Sequence, residues 1–100
     1  MTLFEIVSQL ESHDDTLCIV AKRPWSKTTE AKLVSFTEDY RIPEHVAAQG
    51  FEYFLEVSVA LDEVLHGVRA PLSKDQRYEA VQFYAENDAF PQWLNELRQS

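Results

Sequence analysis

The chain has 100 residues, of which 45% are hydrophobic and only two are glycine, a composition typical of a globular domain and not of a disordered segment. Seventeen acidic and nine basic residues give a formal net charge of −8, which disfavours binding to phosphate backbones and to anionic membrane surfaces. The longest apolar run, Leu17 to Ala21, is far shorter than a membrane span. We therefore expect a single domain over residues 1–100 that binds neither nucleic acid nor membrane.

The first half of the chain predicts one helix and two strands. In TLFEIVSQLES, residues 2–12, the apolar positions lie on one side of a helical wheel, with Thr2 as the N-cap. The unbroken apolar run in TLCIVA, residues 16–21, favours a strand that is covered on both faces. Residues 22–29 have no hydrophobic period and predict a loop, and AKLVSF, residues 31–36, predicts a second strand.

A third strand is predicted at FEYFLEV, residues 51–57, after a short helical turn at PEHVAAQ. Strict alternation places Tyr53 on the apolar face and Glu52 and Glu56 on the opposite face. Phe54 breaks the pattern because it falls on the acidic face. Either another element covers Phe54 or it belongs to an exposed patch.

Three helices are predicted after this strand. The first contains Leu61 to Val68, with Ser58 as a possible cap upstream. The second begins with SKDQ, Ser73 to Gln76, which matches a capping box, and it extends to about Asn87. The third repeats apolar residues at helical spacing from Phe90 to Leu97.

This order of elements favours the α+β class, with a small antiparallel sheet of about three strands and helices packed on it. The N-terminal helix and the helical C-terminal third lie outside the run of strands. The alternative is a mostly helical bundle, in which the first two strand assignments are wrong.

The segment YAENDAF, residues 84–90, has two interpretations. In the first, Asn87 ends a helix in the left-handed conformation and Asp88 caps the next helix. In the second, Glu86 and Asp88, with Phe90 beside them, form an acidic and aromatic knob for a basic partner. Both interpretations can hold together, because a rigid helix corner presents charge well.

FEYFLEV, the short helix after it and YAENDAF together resemble a family of small uncharacterised bacterial domains. Some members of that family resemble immunity proteins of contact-dependent or polymorphic toxin systems. The resemblance covers residues 50–90, and YAENDAF is its most distinctive part. It implies an inhibitor-like role, and it implies no catalytic residue.

Two other groups of residues are candidates for contact with a partner. One is the acidic face of the third strand, with Glu52, Phe54 and Glu56. The other is KRPWSK, residues 22–27, where Trp25 lies among three cations, since Trp and Arg are frequent hot-spot residues of interfaces. The alternative for Trp25 is that its ring packs over the edge of the core.

The sequence contains no recognisable metal-binding or catalytic motif. His13, His45 and His66 are far apart, and CxxC, GxSxG and glycine-rich phosphate loops are missing. Cys18 has apolar neighbours, which favour a buried and unreactive thiol. We therefore expect no catalytic residue, no cofactor and no bound metal.

These observations favour a cytoplasmic, non-enzymatic protein-binding domain, and more specifically an immunity-type inhibitor of a basic bacterial toxin such as a nuclease. An acidic surface imitates the phosphates that such an enzyme binds, and opposite charge accelerates encounter. The alternative is a structural or regulatory module that self-associates or completes a larger complex through Phe54, Trp25 or Phe83. A further interpretation is that the negative charge of this chain only keeps it soluble, as it does in many proteins.

Overall fold

The computed structural model describes residues 1–68 and 71–99. In chain order its elements are helix α1 (Leu3–Ser8), a 3₁₀ turn (Leu10–Ser12), strands β1 (Cys18–Lys22) and β2 (Ala31–Val34), helix α2 (Glu44–Ala47), strand β3 (Phe51–Glu56), helix α3 (Val57–Val59) continued by a π-helical segment (Ala60–Val64), and helices α4 (Lys74–Asn87) and α5 (Gln92–Gln99). A three-stranded antiparallel sheet with an N-terminal helix and C-terminal helices confirms the predicted α+β class.

The sheet has the strand order β2-β1-β3, and both strand pairs are antiparallel. The central strand β1 is hydrogen-bonded on both sides, and residues 18–21 are fully buried. Because side chains on both faces of β1 are covered, its sequence is an unbroken apolar run, as predicted. Lys22 belongs to β1 rather than to the loop, and β2 ends at Val34 rather than at Phe36.

A β-bulge explains the irregular burial of β3. Ile19 pairs with Leu55 whereas the next residue, Val20, pairs with Tyr53, so Phe54 is the extra residue on β3. As a result Phe54 and Leu55 both pack in the main core. Tyr53 is 44% exposed. The predicted strict alternation is therefore wrong after Tyr53, because a bulge shifts the following side chains to the other face.

The two faces of the sheet pack against different cores. The main core includes the buried residues Leu3, Ile6, Val7, Leu10, Ile19, Phe54, Tyr78, Val81 and Leu94. A smaller core on the other face contains Cys18, Val20, Val46 and Phe51. Trp25 is 8% exposed, and its ring meets Phe54 edge to face at 4.9 Å between centroids. Trp25 therefore packs over the core, which was the alternative for this residue.

Reciprocal side-chain caps begin both α1 and α4. Before α1, Thr2 and Glu5 form a capping box. Before α4, the Ser73 hydroxyl accepts from the backbone N–H of Gln76 at 3.1 Å, and the Ser73 N–H donates to Gln76 Oε1 at 3.0 Å. The capping box predicted at SKDQ is confirmed. Such a cap contributes about 1 kcal/mol and fixes the first residue of the helix.

The helix after β3 begins earlier than the sequence predicts. α3 starts at Val57 directly after the strand, with Glu56 at the N-cap position, so Ser58 lies inside the helix and does not cap it. The buried Val57, Ala60 and Val64 place one face of α3 and the π-helical segment on the main core. Packing of these residues, rather than a side-chain cap, sets where this helix begins.

Candidate functional site

An open groove of about 380 Å³ lies along α4, beside the loop that joins β1 to β2. We call it the α4 groove. It is lined by Lys27 of the loop and by Asp75, Tyr78, Glu79, Gln82, Phe83 and Glu86 of α4. Asp75, Glu79, Gln82 and Glu86 stand at i, i+4, i+7 and i+11. This spacing places their side chains in one row along the helix.

The loop wall of the α4 groove is held against the helix by specific contacts. The backbone carbonyl of Trp25, whose ring is buried, accepts a hydrogen bond from Gln82 Nε2 at 3.1 Å. The Lys27 ammonium group pairs with Asp75 and lies 5.3 Å from the centroid of the Phe4 ring. The loop is therefore fixed at both ends of this wall, and the groove has a defined shape.

Carboxylates outnumber cations in the α4 groove. Its three acidic residues face one lysine, which leaves two net negative charges. Asp75 pairs with Lys27, whereas Glu86 accepts a hydrogen bond from the neutral amide of Gln82 at 3.2 Å. Within residues 1–68 and 71–99, neither Glu79 nor Glu86 has a salt bridge to a basic side chain. These two carboxylates attract cations from solution.

Tyr78 forms part of the floor of the α4 groove. It is 4% exposed, and its ring packs on Phe4 with 6.0 Å between centroids. Its hydroxyl is buried and has no hydrogen-bond partner in the described part of the chain. Burial, with a smaller contribution from the negative charge of Glu86, raises the pKa of Tyr78 to about 12. The hydroxyl is therefore neutral at physiological pH. A group that enters the groove reaches it only when the side chains that cover it move.

Phe83 lies among the groove residues and is 38% exposed. The helical wheel places it away from the buried side of α4, where Tyr78 and Val81 contact the main core. Phe83 therefore remains partly uncovered. The α4 groove thus combines an exposed aromatic ring with a row of carboxylates.

The two acidic residues of YAENDAF do not form one knob. Glu86 lines the α4 groove, whereas Asp88 lies near the hydroxyl of Tyr84, which donates to Glu63 at 3.2 Å. Burial, together with the Glu63 and Asp88 carboxylates, raises the pKa of Tyr84. Asp88 therefore belongs to a different cluster, and a partner that fills the α4 groove does not need it.

The interpretation of YAENDAF as a boundary between two helices is wrong about the roles of Asn87 and Asp88. Asp88, with φ 52° and ψ 37°, adopts the left-handed conformation that ends α4, and Asn87 is still helical. The next helix begins only at Gln92, after Pro91, so Asp88 is not its cap. Aspartate tolerates the left-handed conformation much as asparagine does, so sequence alone does not decide between the two neighbours.

Phe90 is half-buried at this corner and lies outside the α4 groove. Its ring centroid is 5.2 Å from that of Tyr84, and the Arg98 guanidinium lies 4.4 Å from the Phe90 ring. Arg98 also donates to the backbone carbonyls of Glu63 and Val64. Phe90 therefore attaches α5 to the end of α4.

The candidates on β3 do not form one surface either. Glu52 pairs across the sheet with Ala21, and Glu56 pairs with Cys18. Since Ala21 belongs to the main core and Cys18 to the smaller one, the two carboxylates point to opposite faces. The prediction that they share a face is wrong, and the bulge at Phe54 is the reason.

The remaining β3 and loop candidates are also accounted for by the fold. Glu52 is exposed and forms an ion pair with Arg23 at 3.5 Å. Phe54 and Trp25 are buried against each other. Both rings are therefore part of the main core.

Cys18 is fully buried, and burial together with the Glu56 carboxylate raises the pKa of its thiol to about 12. A thiol in this state is a poor nucleophile at neutral pH. Residues 1–68 and 71–99 contain no group of three side chains placed to hold a metal ion. Across the same residues, no helix has both the length and the apolar character to cross a membrane.

Asp75, Tyr78, Glu79 and Gln82 are site residues that the sequence analysis did not identify. For the acidic residues Asp75 and Glu79, a signal was available in the sequence, because Asp75, Glu79 and Glu86 share one side of a helix whose start is marked by the capping box. Lys27, by contrast, is far away in the sequence. Its contact with Asp75 becomes visible only in the folded chain.

Residues 1–93 match the model of a family described as Domain of unknown function (DUF7716). The chain belongs to this family, and the match extends well beyond residues 50–90. No curated protein and no solved structure matches the chain. The relationship to immunity proteins stays a prediction.

Proposed function

We propose that the chain is a non-enzymatic protein-binding domain whose α4 groove binds a basic partner. We propose further that it acts in the bacterial cytoplasm as an immunity-type inhibitor of a basic toxin. The observation that carries this proposal is the row of Asp75, Glu79 and Glu86 beside the exposed ring of Phe83. The row lies on a well-capped helix of 14 residues.

The position of the row favours binding over mere solubility. Its carboxylates lie on a rigid helix that packs against the main core through Tyr78, Ala80 and Val81, so their spacing is maintained without a partner. A preorganised row of charges lowers the entropic penalty of binding. It also raises the association rate with a protein of opposite charge. A surface used only for solubility needs no such order.

The same geometry supports the proposed inhibition of a nuclease-like toxin. An enzyme that binds nucleic acid has a cleft lined by Lys and Arg side chains that contact phosphates. A row of carboxylates on one helix offers several acceptors to such a cleft at once, and Phe83 supplies apolar contact area. The bound helix would block entry of the nucleic acid.

The alternative is a structural or regulatory module that self-associates or completes a larger complex through Phe54, Trp25 or Phe83. Two of these three residues are buried in the main core, which gives this alternative less support than the acidic row gives the inhibitor. The exposed Phe83 is surrounded by carboxylates. A second copy of the same acidic groove would be repelled rather than bound.

The proposal is tested by affinity capture from lysate of the source organism, at low and at high salt, with three baits. These are the wild type, a groove variant Glu79→Gln/Glu86→Gln, and a control variant Glu38→Gln/Asp88→Asn. Both variants remove the same charge, and the control residues lie outside the groove. We expect a basic protein that the wild type and the control retain at low salt and that the groove variant loses.

The captured protein is then expressed in cells with and without the chain. Growth arrest that the wild type relieves and the groove variant does not relieve would support the inhibitor role. Equal retention of every basic protein by all three baits would contradict the assignment of the α4 groove as the binding surface.

A further inference from the structure

The α4 groove already binds one cation of its own chain. At one end, the Lys27 ammonium group pairs with the Asp75 carboxylate and lies 5.3 Å from the centre of the Phe4 ring. A cation there is thus held by a carboxylate and by the face of an aromatic ring, two interactions that reinforce each other. This contact shows that a carboxylate and an aromatic ring together hold a positive charge at the end of the groove.

The rest of the α4 groove repeats these groups without an internal cation. Glu79 and Glu86 supply carboxylates that have no salt bridge in the described part of the chain, and Phe83 supplies an exposed ring. Tyr78 adds a buried hydroxyl that lacks a hydrogen-bond partner among the described residues. An unpaired buried hydroxyl destabilises a fold by about 1–3 kcal/mol. A donor that enters the groove and displaces the side chains over this hydroxyl would satisfy it.

We infer that this part of the α4 groove receives an arginine side chain of the partner, an inference that rests on the proposed function. A guanidinium group is planar and can stack on the Phe83 ring. Its five N–H donors can bond to both carboxylates, and also to the Tyr78 hydroxyl once the side chains that cover it move. The lysine ammonium has three donors, does not stack and holds its water more strongly. The set of acceptors therefore favours arginine over lysine.

The inference is tested on the full chain with two small probes, N-acetyl-arginine amide and N-acetyl-lysine amide. Each probe is titrated while backbone amide shifts are followed by NMR. We expect saturable shifts confined to α4 and the Lys27 loop, with binding of the arginine probe at least about threefold tighter than that of the lysine probe.

Five variants locate the probe. Glu86→Gln should weaken arginine binding about tenfold, because it removes a charge-assisted hydrogen bond, and Asp88→Asn should leave it unchanged. Tyr78→Phe should weaken it about threefold while the fold stays intact. Lys27→Met should strengthen binding more than Lys32→Met does, since both remove one charge but only Lys27 lies in the groove.

Shifts of equal size with both probes, or shifts spread over the whole acidic surface, would overturn the arginine pocket. Undetectable binding of both probes would also overturn it. These outcomes are independent of the capture experiment, which tests whether the α4 groove binds a basic protein at all.

Discussion

Replacing Tyr78 with Phe should make the protein more stable. The change removes one hydroxyl that is buried and unpaired within the described residues, and it leaves the ring contact with Phe4 in place. Leaving such a group without a partner costs about 1–3 kcal/mol. We expect the free energy of unfolding in urea to rise by about 1–2 kcal/mol with an unchanged m-value. At about 4–8 °C per kcal/mol, the midpoint of thermal unfolding should rise by about 4–16 °C.

The same residue predicts how stability changes at high pH. Tyr78 has a raised pKa of about 12 in the folded chain, whereas an unfolded tyrosine ionises near 10. The folded state therefore holds one more proton than the unfolded state between these values. Its contribution is complete below about pH 10 and is lost as the pH rises toward 12, by roughly 2–3 kcal/mol. The Tyr78→Phe variant should lack this part of the loss.

The matched control is Tyr40→Phe, because Tyr40 is 84% exposed and loses the same hydroxyl. That variant should change the free energy of unfolding by less than about 0.5 kcal/mol. If Tyr78→Phe instead lowers the free energy of unfolding by about 1 kcal/mol or more, the Tyr78 hydroxyl is hydrogen-bonded. That result would contradict an unpaired Tyr78 hydroxyl in the floor of the α4 groove.

Three further predictions address the core, the thiol and the cap. Phe54→Ala should lower the free energy of unfolding by about 3–5 kcal/mol in a urea titration, because it leaves a cavity beside Trp25. Phe83→Ala should lower it by less than about 1 kcal/mol, because Phe83 is exposed. Similar values for both variants would contradict the burial of Phe54 by the bulge. Cys18 should react with an aromatic disulfide reagent at neutral pH only as fast as the protein unfolds, and rapid labelling of the native protein would show an accessible thiol. Ser73→Ala should lower the melting temperature by an amount equivalent to about 1 kcal/mol, and an unchanged value would show that the cap is dispensable.

Local sequence patterns predicted the elements that depend on neighbouring residues. The SKDQ capping box joins Ser73 and Gln76, which are three residues apart. It could therefore be predicted without knowing how distant segments pack. The apolar run around Cys18 is also a local pattern, because its residues are adjacent in the sequence. It predicted a strand that is covered on both faces. The order of these elements was sufficient for the α+β class.

Features that depend on pairing between distant segments were not predictable. The bulge at Phe54 arises from the register between β1 and β3, and it reverses the face of every later residue of the strand. The ion pair between Lys27 and Asp75 joins residues that are 48 positions apart. Glu86 and Asp88 are close in the sequence, but the end of α4 directs them to different surfaces.

Association kinetics with the captured partner show whether the α4 groove binds a basic protein. We expect Glu79→Gln/Glu86→Gln to lower the association rate constant about tenfold and Glu38→Gln/Asp88→Asn to lower it much less. The wild-type rate constant should fall steeply as salt is added. Equal rate constants for the two variants, or a rate that does not respond to salt, would contradict such binding.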